Sequence, residues 1–376
     1  MSVPADATGP AELSADCLKL TSYFGERRRA SGPDGAGQFA ADALLDLYGR
    51  HEVATSILLR GAEGFGASRH PRTDRSLALS EDLPLIAVAV DTRPRIQALV
   101  EPTARITGTG LVTLERARLL AGTIEAVTLG EQVHEETKLT VYLGRQERVY
   151  RVPAFMAVCD LLHRRDVAGA TVLLGVDGTA HGTRERAAFF SRNAGTPMMV
   201  IAVGSGTRMS RVLPELGGLL RRPLLTLERV RICKRDGKLL CPPVAVPPAD
   251  EAGMPLWHKL MVYTSEAALF EGQPIHRTIV RRLRAAGISG ATTQRGVWGF
   301  HGDHAPHGDR LFQLGRHVPV VTVVIDAPER IEAAFAIIDE LTAGQGLVTS
   351  EVVPAMRPAG TGHEPAPSPA NVARPG

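Results

Sequence analysis

Glycine, arginine and histidine come together three times in this chain of 376 residues. The first stretch reads RGAEGFG and holds Gly61, Glu63, Gly64, Phe65 and Gly66, with Arg69, His70, Arg72 and Arg75 following. The second reads GVDGTAHG and holds Gly175, Gly178 and His181, with Arg184 and Arg186 beyond it. The third reads RGVWGFHG and holds Gly296, Gly299, Phe300 and His301, with His304, His307 and Arg310 beyond it. Glycine lacks a Cβ, so backbone N–H groups can close around an anion there. Arginine grips a phosphate or carboxylate through two parallel hydrogen bonds. The expected chemistry is capture of a small anion at the loop base, by Gly64, Gly66, Arg69 and their counterparts.

Other reactive residues point less far. In HGDHAPHGD (His301 to Asp309), imidazoles and carboxylates are the donors that bind zinc, copper or nickel. Gly302, Pro306 and Gly308 prevent a helix that would hold them in one constellation, and the other two stretches lack the trio, so no resident metal or cofactor is expected. Cys17, Cys159, Cys233 and Cys241 are too sparse for a disulfide scaffold and lack CxxC spacing; inert thiols are expected. The sequence has no GxSxG, HExxH or GxxxxGK[ST], and no GxGxxG placed between a strand and a helix. A non-catalytic protein is expected. Tyr23, Tyr142 and Tyr263 recur at one strand position, either stacking on a ligand or packing where repeats meet.

The elements that must position these residues repeat with them. KLTSYFGE, KLTVYLGR and KLMVYTSE begin at Lys19, Lys138 and Lys259; PLIAVAVD, PMMVIAVG and PVVTVVID begin at Pro84, Pro197 and Pro319; GLVTLE, PLLTLE and GLVTSE close the three units. Four matches in the same order, three times over, define a triplication. The units span 16–120, 137–242 and 256–357. Tails and linkers take 1–15, 121–136, 243–255 and 358–376. Unit two adds RICKRDGKLLC, whose Asp236-Gly237 signals a hairpin.

Each unit reads as strand, helix, strand, long connection, strand, helix, strand, with Asp91 and Asp326 expected to cap the second helices. That order predicts an α+β architecture of three ferredoxin-like (βαββαβ) sandwiches. The third strands LIAVAV, MMVIAV and VVTVVI are apolar on both faces, so something besides water must cover the sheets. Packing of the sheets about a pseudo-threefold axis is the expected cover. The connections Gly61–Leu83, Gly175–Thr196 and Gly296–Val318 each exceed 20 residues, a length that compact domains reserve for function or disorder.

Unit one, with Tyr23-Phe24-Gly25-Glu26, the RGAEGFG stretch and Glu81-Asp82-Leu83-Pro84, resembles PII-like signalling proteins and, more closely, the domain of unknown function 190 family. Unit three keeps Gly296, Gly299, Phe300 and Pro319 but has Trp298 where the pattern prefers an acid; unit two keeps Gly175 and Gly178 but has Thr179 for the phenylalanine. The resemblance implies PII-like domains forming a single-chain pseudo-trimer. It also implies a small anionic ligand, an adenine nucleotide among the candidates, held in clefts between repeats and signalling through the long loops. A ligand-independent scaffold docking a membrane channel or an enzyme is the alternative. Unit one, with its motif intact, is expected to supply the best site and unit two the poorest.

Composition limits the partners. The chain is 44% hydrophobic and 22% charged, and 43 basic residues face 40 acidic ones for a net charge of +3. That balance argues against a nucleic-acid grip. No apolar run reaches the roughly 18 residues of a membrane span, and the amino-terminal residues lack a secretory pattern. A cytoplasmic location without membrane insertion is expected.

Overall fold

Apolar β-branched runs bounded by proline and glycine become strands, and the amphipathic runs between them become helices. The computed structural model describes residues 13–31, 35, 37–66, 72–73, 82–124, 127–129, 134–180, 183–184, 196–301, 306–308 and 318–357. Unit one runs through strand Leu13–Gly25, helix Ala40–Arg50, strands Thr55–Arg60, Glu63–Phe65 and Pro84–Thr92, helix Arg93–Thr107 and strand Leu111–Ala121. Unit two places strands at Glu135–Gly144, Gly169–Ala180, Pro197–Gly204 and Leu224–Arg235, and helices at Ala154–Arg164 and Gly206–Leu219. Unit three places strands at Leu256–Ser265, Ala291–Arg295, Trp298–His301, Pro319–Asp326 and Leu347–Met356, and helices at Ile275–Ala285 and Pro328–Leu341.

These elements do not make three ferredoxin-like, PII-like domains in a pseudo-trimer; that expectation is overturned. Among the described residues the architecture is a nine-strand antiparallel β-barrel carrying six helices. Counting every short segment, eighteen strands belong to one continuous sheet. The physical reason lies at the strand edges. A separate sandwich leaves rows of unpaired N–H and C=O groups at the edges of its sheet, and closure removes them. Glu63–Phe65 of unit one pairs with Ala291–Thr293 of unit three. Trp298–His301 of unit three pairs with Gly169–Val172 of unit two, and Gly175–Ala180 of unit two returns to Thr55–Leu59 of unit one. The last strands close a second circuit, from Leu224–Leu227 to Arg118–Ala121, from Arg231–Arg235 to Leu347–Ser350, and from Ala355–Met356 to Val112–Thr113.

The doubly apolar third strands are explained by two layers of packing. One face supports the helices in a cluster centred on each unit, into which neighbours reach: Phe300 of unit three enters that of unit two, and Phe65 of unit one and Cys233 of unit two enter that of unit three. The other face enters a cluster shared by all three units, where Ile86 and Val88 meet Met199 and Ile201 and also Val321 and Val323. Asp91 and Asp326 do not act as the helix N-caps, which are Thr92 and Ala327. Their carboxylates chiefly tie strand ends together: Ala54 N donates to Asp91 over 2.9 Å, and Ser289 N and Oγ donate to Asp326 over 2.7 and 2.9 Å. Among the described residues no helix is long and apolar enough to cross a membrane.

Candidate functional site

The crossings between units create the cavities. The largest, about 550 Å³, lies where unit one meets unit three. Unit one supplies Tyr23, the turn Arg27-Arg28-Arg29, Phe65, Gly66, Arg72, Asp82 and Leu111; unit three supplies Ser289 to Thr292, Val323, Ile325 and Arg357. Among the described residues that line it are five arginines and one carboxylate, together with the apolar side chains of Phe65, Leu111, Val323 and Ile325. Asp82 is already engaged: Arg72 Nη2 lies 2.9 Å from its Oδ2, and Arg27 N donates to its Oδ1 over 2.7 Å. A Cβ on Gly25 would sit 2.2 Å from Asp82 Oδ2, which explains the glycine of the YFGE stretch.

The arginines are held in place rather than free to wander. Arg28 lies across the end of the helix Arg93–Thr107, where Gly108 (φ 61) leaves room for its guanidinium, and its Nε is buried without a hydrogen-bond partner. Arg29 donates to Gly37 O over 2.8 Å and stacks on Phe39 at 4.0 Å. Arg357 lies 5.1 Å over the Trp257 ring. A cleft with such an excess of one charge concentrates the opposite charge within it.

Most of the glycines expected to cradle the ligand stand at the strand crossings, where backbone or proline atoms leave no room for a Cβ. A Cβ on Gly64 would lie 2.4 Å from Ala291 O, on Gly178 2.3 Å from Ser56 O, and on Gly299 (φ 153) 2.2 Å from Ala170 O. Gly61, Gly175 and Gly296 are crowded by Pro84, by Pro197 O with Ile57, and by Pro319 respectively. Gly66 faces open space and lines the cavity. Phe65 and Phe300 are buried and line the first and second cavities; Phe300 also meets the His163 ring edge-on at 5.1 Å. Glu63 lies 3.9 Å from His276 across the unit boundary. Arg69, His181 and Arg310 lie outside the described residues, as do His304 and Asp309.

The other two junctions differ. The cavity where unit three meets unit two holds about 80 Å³. At the third junction Thr55 and Ser56 interlock with Thr179: the Ser56 and Thr179 hydroxyls lie 2.8 Å apart, and Thr55 Oγ1 donates to Thr179 O over 3.1 Å. A hydroxyl in place of the phenylalanine lets unit two's strand run on and close the gap.

A second arrangement was not anticipated from the sequence. Lys19, Lys138 and Lys259 point into the barrel toward Glu115, Glu228 and Glu351, all buried. Lys19 Nζ lies 2.7 Å from both Glu115 and Glu228, Lys138 2.7 Å from Glu228 and in contact with Glu351, and Lys259 2.9 Å from Glu115. Burial pushes the Glu115 and Glu228 carboxyls up, but the neighbouring ammonium groups outweigh it and hold both below the ordinary range. Burial opposes the charge of Lys19, yet the glutamates raise its pKa well above the usual value. Carboxylates within 4.8 Å of one another could hold a cation, but three ammonium groups neutralise them here. The signal was present: a lysine and a glutamate recur at fixed places in otherwise apolar strands. Tyr23, Tyr142 and Tyr263 join the shared core, and burial raises all three phenols. The four cysteines are buried and unbridged, and burial pushes the Cys233 thiol up to about 12.

A barrel of triplicated strands with an arginine-mouthed cavity at one junction is thus the class that fold and site define. The DUF190 family profile (Uncharacterized ACR) matches three times, at residues 17–119, 136–232 and 257–355. The chain belongs to that family and carries three tandem copies of its domain. A UPF0166 protein of Aquifex aeolicus is 36% identical over 73 residues, 19% of this chain and 70% of that protein. A UPF0166 protein of Methanocaldococcus jannaschii is 30% identical over 89 residues, 24% of this chain and 82% of that protein. Neither name carries a function, and the comparisons give no support to nucleotide binding or signalling.

Proposed function

We propose that this protein binds a small anionic ligand, without turning it over, in the cavity between units one and three. The observation that supports the reading is the excess, among the described residues, of guanidinium groups around a half-open cavity with apolar lining. Such a site suits a molecule with an acidic group and a flat or aliphatic body. Arg28, Arg72 and Arg357 would take the acidic end, and Tyr23, Phe65 and Leu111 the body. The hydroxyl of Ser289, which could attack a bound substrate, instead donates to Asp326, whose carboxylate is shared with Ala327 N and Arg330. Gly66 and Arg72 belong to the long connection of unit one, so a bound ligand would touch that connection.

Calorimetric titration against a panel of phosphorylated and carboxylated metabolites tests the proposal. At least one should bind, and Arg28→Ala and Arg357→Ala should each weaken it roughly 10- to 100-fold, the worth of a charge-assisted hydrogen bond. Binding unchanged in both variants would overturn the assignment.

A further inference from the structure

Two of the four cysteines stand together. Cys233 lies in the last strand of unit two, and Cys241 lies just beyond the short strand Lys238–Leu239 that folds back on it. The turn residues Asp236 (φ 50) and Gly237 (φ 76) are both left-handed, as a tight two-residue hairpin requires. Leu240 N and Cys241 N both donate to Cys233 O, over 2.9 and 3.2 Å. Cys241 is thereby held beside Cys233, where regular pairing would set it opposite Ile232. Strand residues joined by such a bond have Cα atoms about 5 to 6 Å apart, inside the roughly 4.4 to 6.8 Å that a disulfide spans. Cys241 Sγ donates to Ile232 O over 3.1 Å, and the two thiols are in hydrogen-bonding contact. Cys17 and Cys159 belong to other clusters of the core.

The frame around the pair is fixed. Lys234 donates to Asp339 O and Oδ1 over 2.5 Å, and Asp236 N donates to Gly346 O over 2.8 Å. A Cβ on Gly237 would meet Ala343 O at 2.3 Å, and Cys233 itself enters the core of unit three. The hairpin is thus a clasp laid by unit two on unit three, with both thiols at its open end.

We propose that Cys233 and Cys241 form an oxidation site, where hydrogen peroxide joins them in a disulfide across the hairpin. Cys241, 8% exposed against 0% for Cys233, meets the oxidant first. Its thiolate attacks one peroxide oxygen, the O–O bond breaks, and the departing hydroxide takes up the thiol's proton as water, leaving a sulfenic acid. The Cys233 sulfur then attacks the Cys241 sulfur. The S–S bond forms, the S–OH bond breaks, and the hydroxide leaves as water with the Cys233 proton. Two thiols are oxidised and one peroxide is reduced to two waters. Burial pushes the Cys233 thiol up to about 12, which suits it to this second step, where hydroxide takes its proton, and not to the first.

The test treats the reduced full chain with hydrogen peroxide in the absence of denaturant, then alkylates it and maps its tryptic peptides by mass spectrometry. The peptides of Cys233 and Cys241 should be recovered joined, short of two hydrogens, with Cys17 and Cys159 alkylated. Cys233→Ser should stop at a Cys241 sulfenic acid that dimedone traps, and Cys241→Ser should leave Cys233 a thiol. All four cysteines alkylated in the wild type would overturn the proposal. A bond that includes Cys17 or Cys159 would overturn it too, as would Cys241 driven to a sulfinic acid beside a free Cys233. Dimedone trapped on Cys233 in Cys241→Ser would overturn the order of attack.

Discussion

Six side chains at the barrel centre decide how the protein meets acid. Glu115 and Glu228 are buried, and the ammonium groups of Lys19, Lys138 and Lys259, helped by the hydroxyls of Thr21, Thr113 and Thr226, keep them charged. A carboxylate whose pKa is depressed on folding adds stability that is complete above its unfolded value, here about 4.5, and disappears as pH falls through the folded value. Lys19 shifts upward, so its contribution is complete below about 10.5 and is lost only in stronger base. Denaturant midpoints should therefore hold steady near neutrality and drop progressively below about pH 4.5. A midpoint unchanged down to pH 3 would contradict the network. Removing one partner of a buried ion pair costs roughly 3 to 5 kcal/mol, and Lys138→Met should show a loss of that order.

At the scale of elements, glycine sets how closely strands of different units can cross. Ala291 O, Ser56 O and Ala170 O stand where the Cβ of Gly64, Gly178 and Gly299 would be. Alanine at any of the three should destabilise the fold by about 1 to 3 kcal/mol, the range for overpacking. Gly66→Ala should stay within about 0.5 kcal/mol, as surface changes do. Melting curves of the four variants check this; an undisturbed Gly178→Ala would refute the crossing role. For ligand binding the sequence predicts little effect of a change at Gly178, because unit two carries the poorest glycine motif; the crossing role concerns stability instead. The repeat, the strands and the hairpin at Asp236-Gly237 were legible, since each depends on local pattern and turn chemistry. Closure was not: nothing in the residue types of Thr55–Leu59 or Gly175–Ala180 names the partner across the unit boundary. The site was half legible. Arg72 stands in the motif of unit one, but Ser289 to Thr292 and Arg357 lie more than 200 residues away and reach it only through barrel closure.

At the scale of the whole molecule, triplication within one chain permits what identical subunits forbid, because each junction is free to diverge. One is open and basic, one keeps a space of only about 80 Å³, and one is laced by the hydroxyls of Thr55, Ser56 and Thr179. The barrel supplies a rigid frame for the open junction: its walls are strand ends fixed by ladders on both sides, as Phe65 and Ala291 show by pairing directly across the boundary. The measurement that bears most directly on this account is a crystal structure of the full chain grown in saturating inorganic phosphate. The account predicts an anion in the cavity between units one and three, within hydrogen-bonding reach of Arg28, Arg72 or Arg357. An empty cavity with anions bound elsewhere on the surface would contradict it.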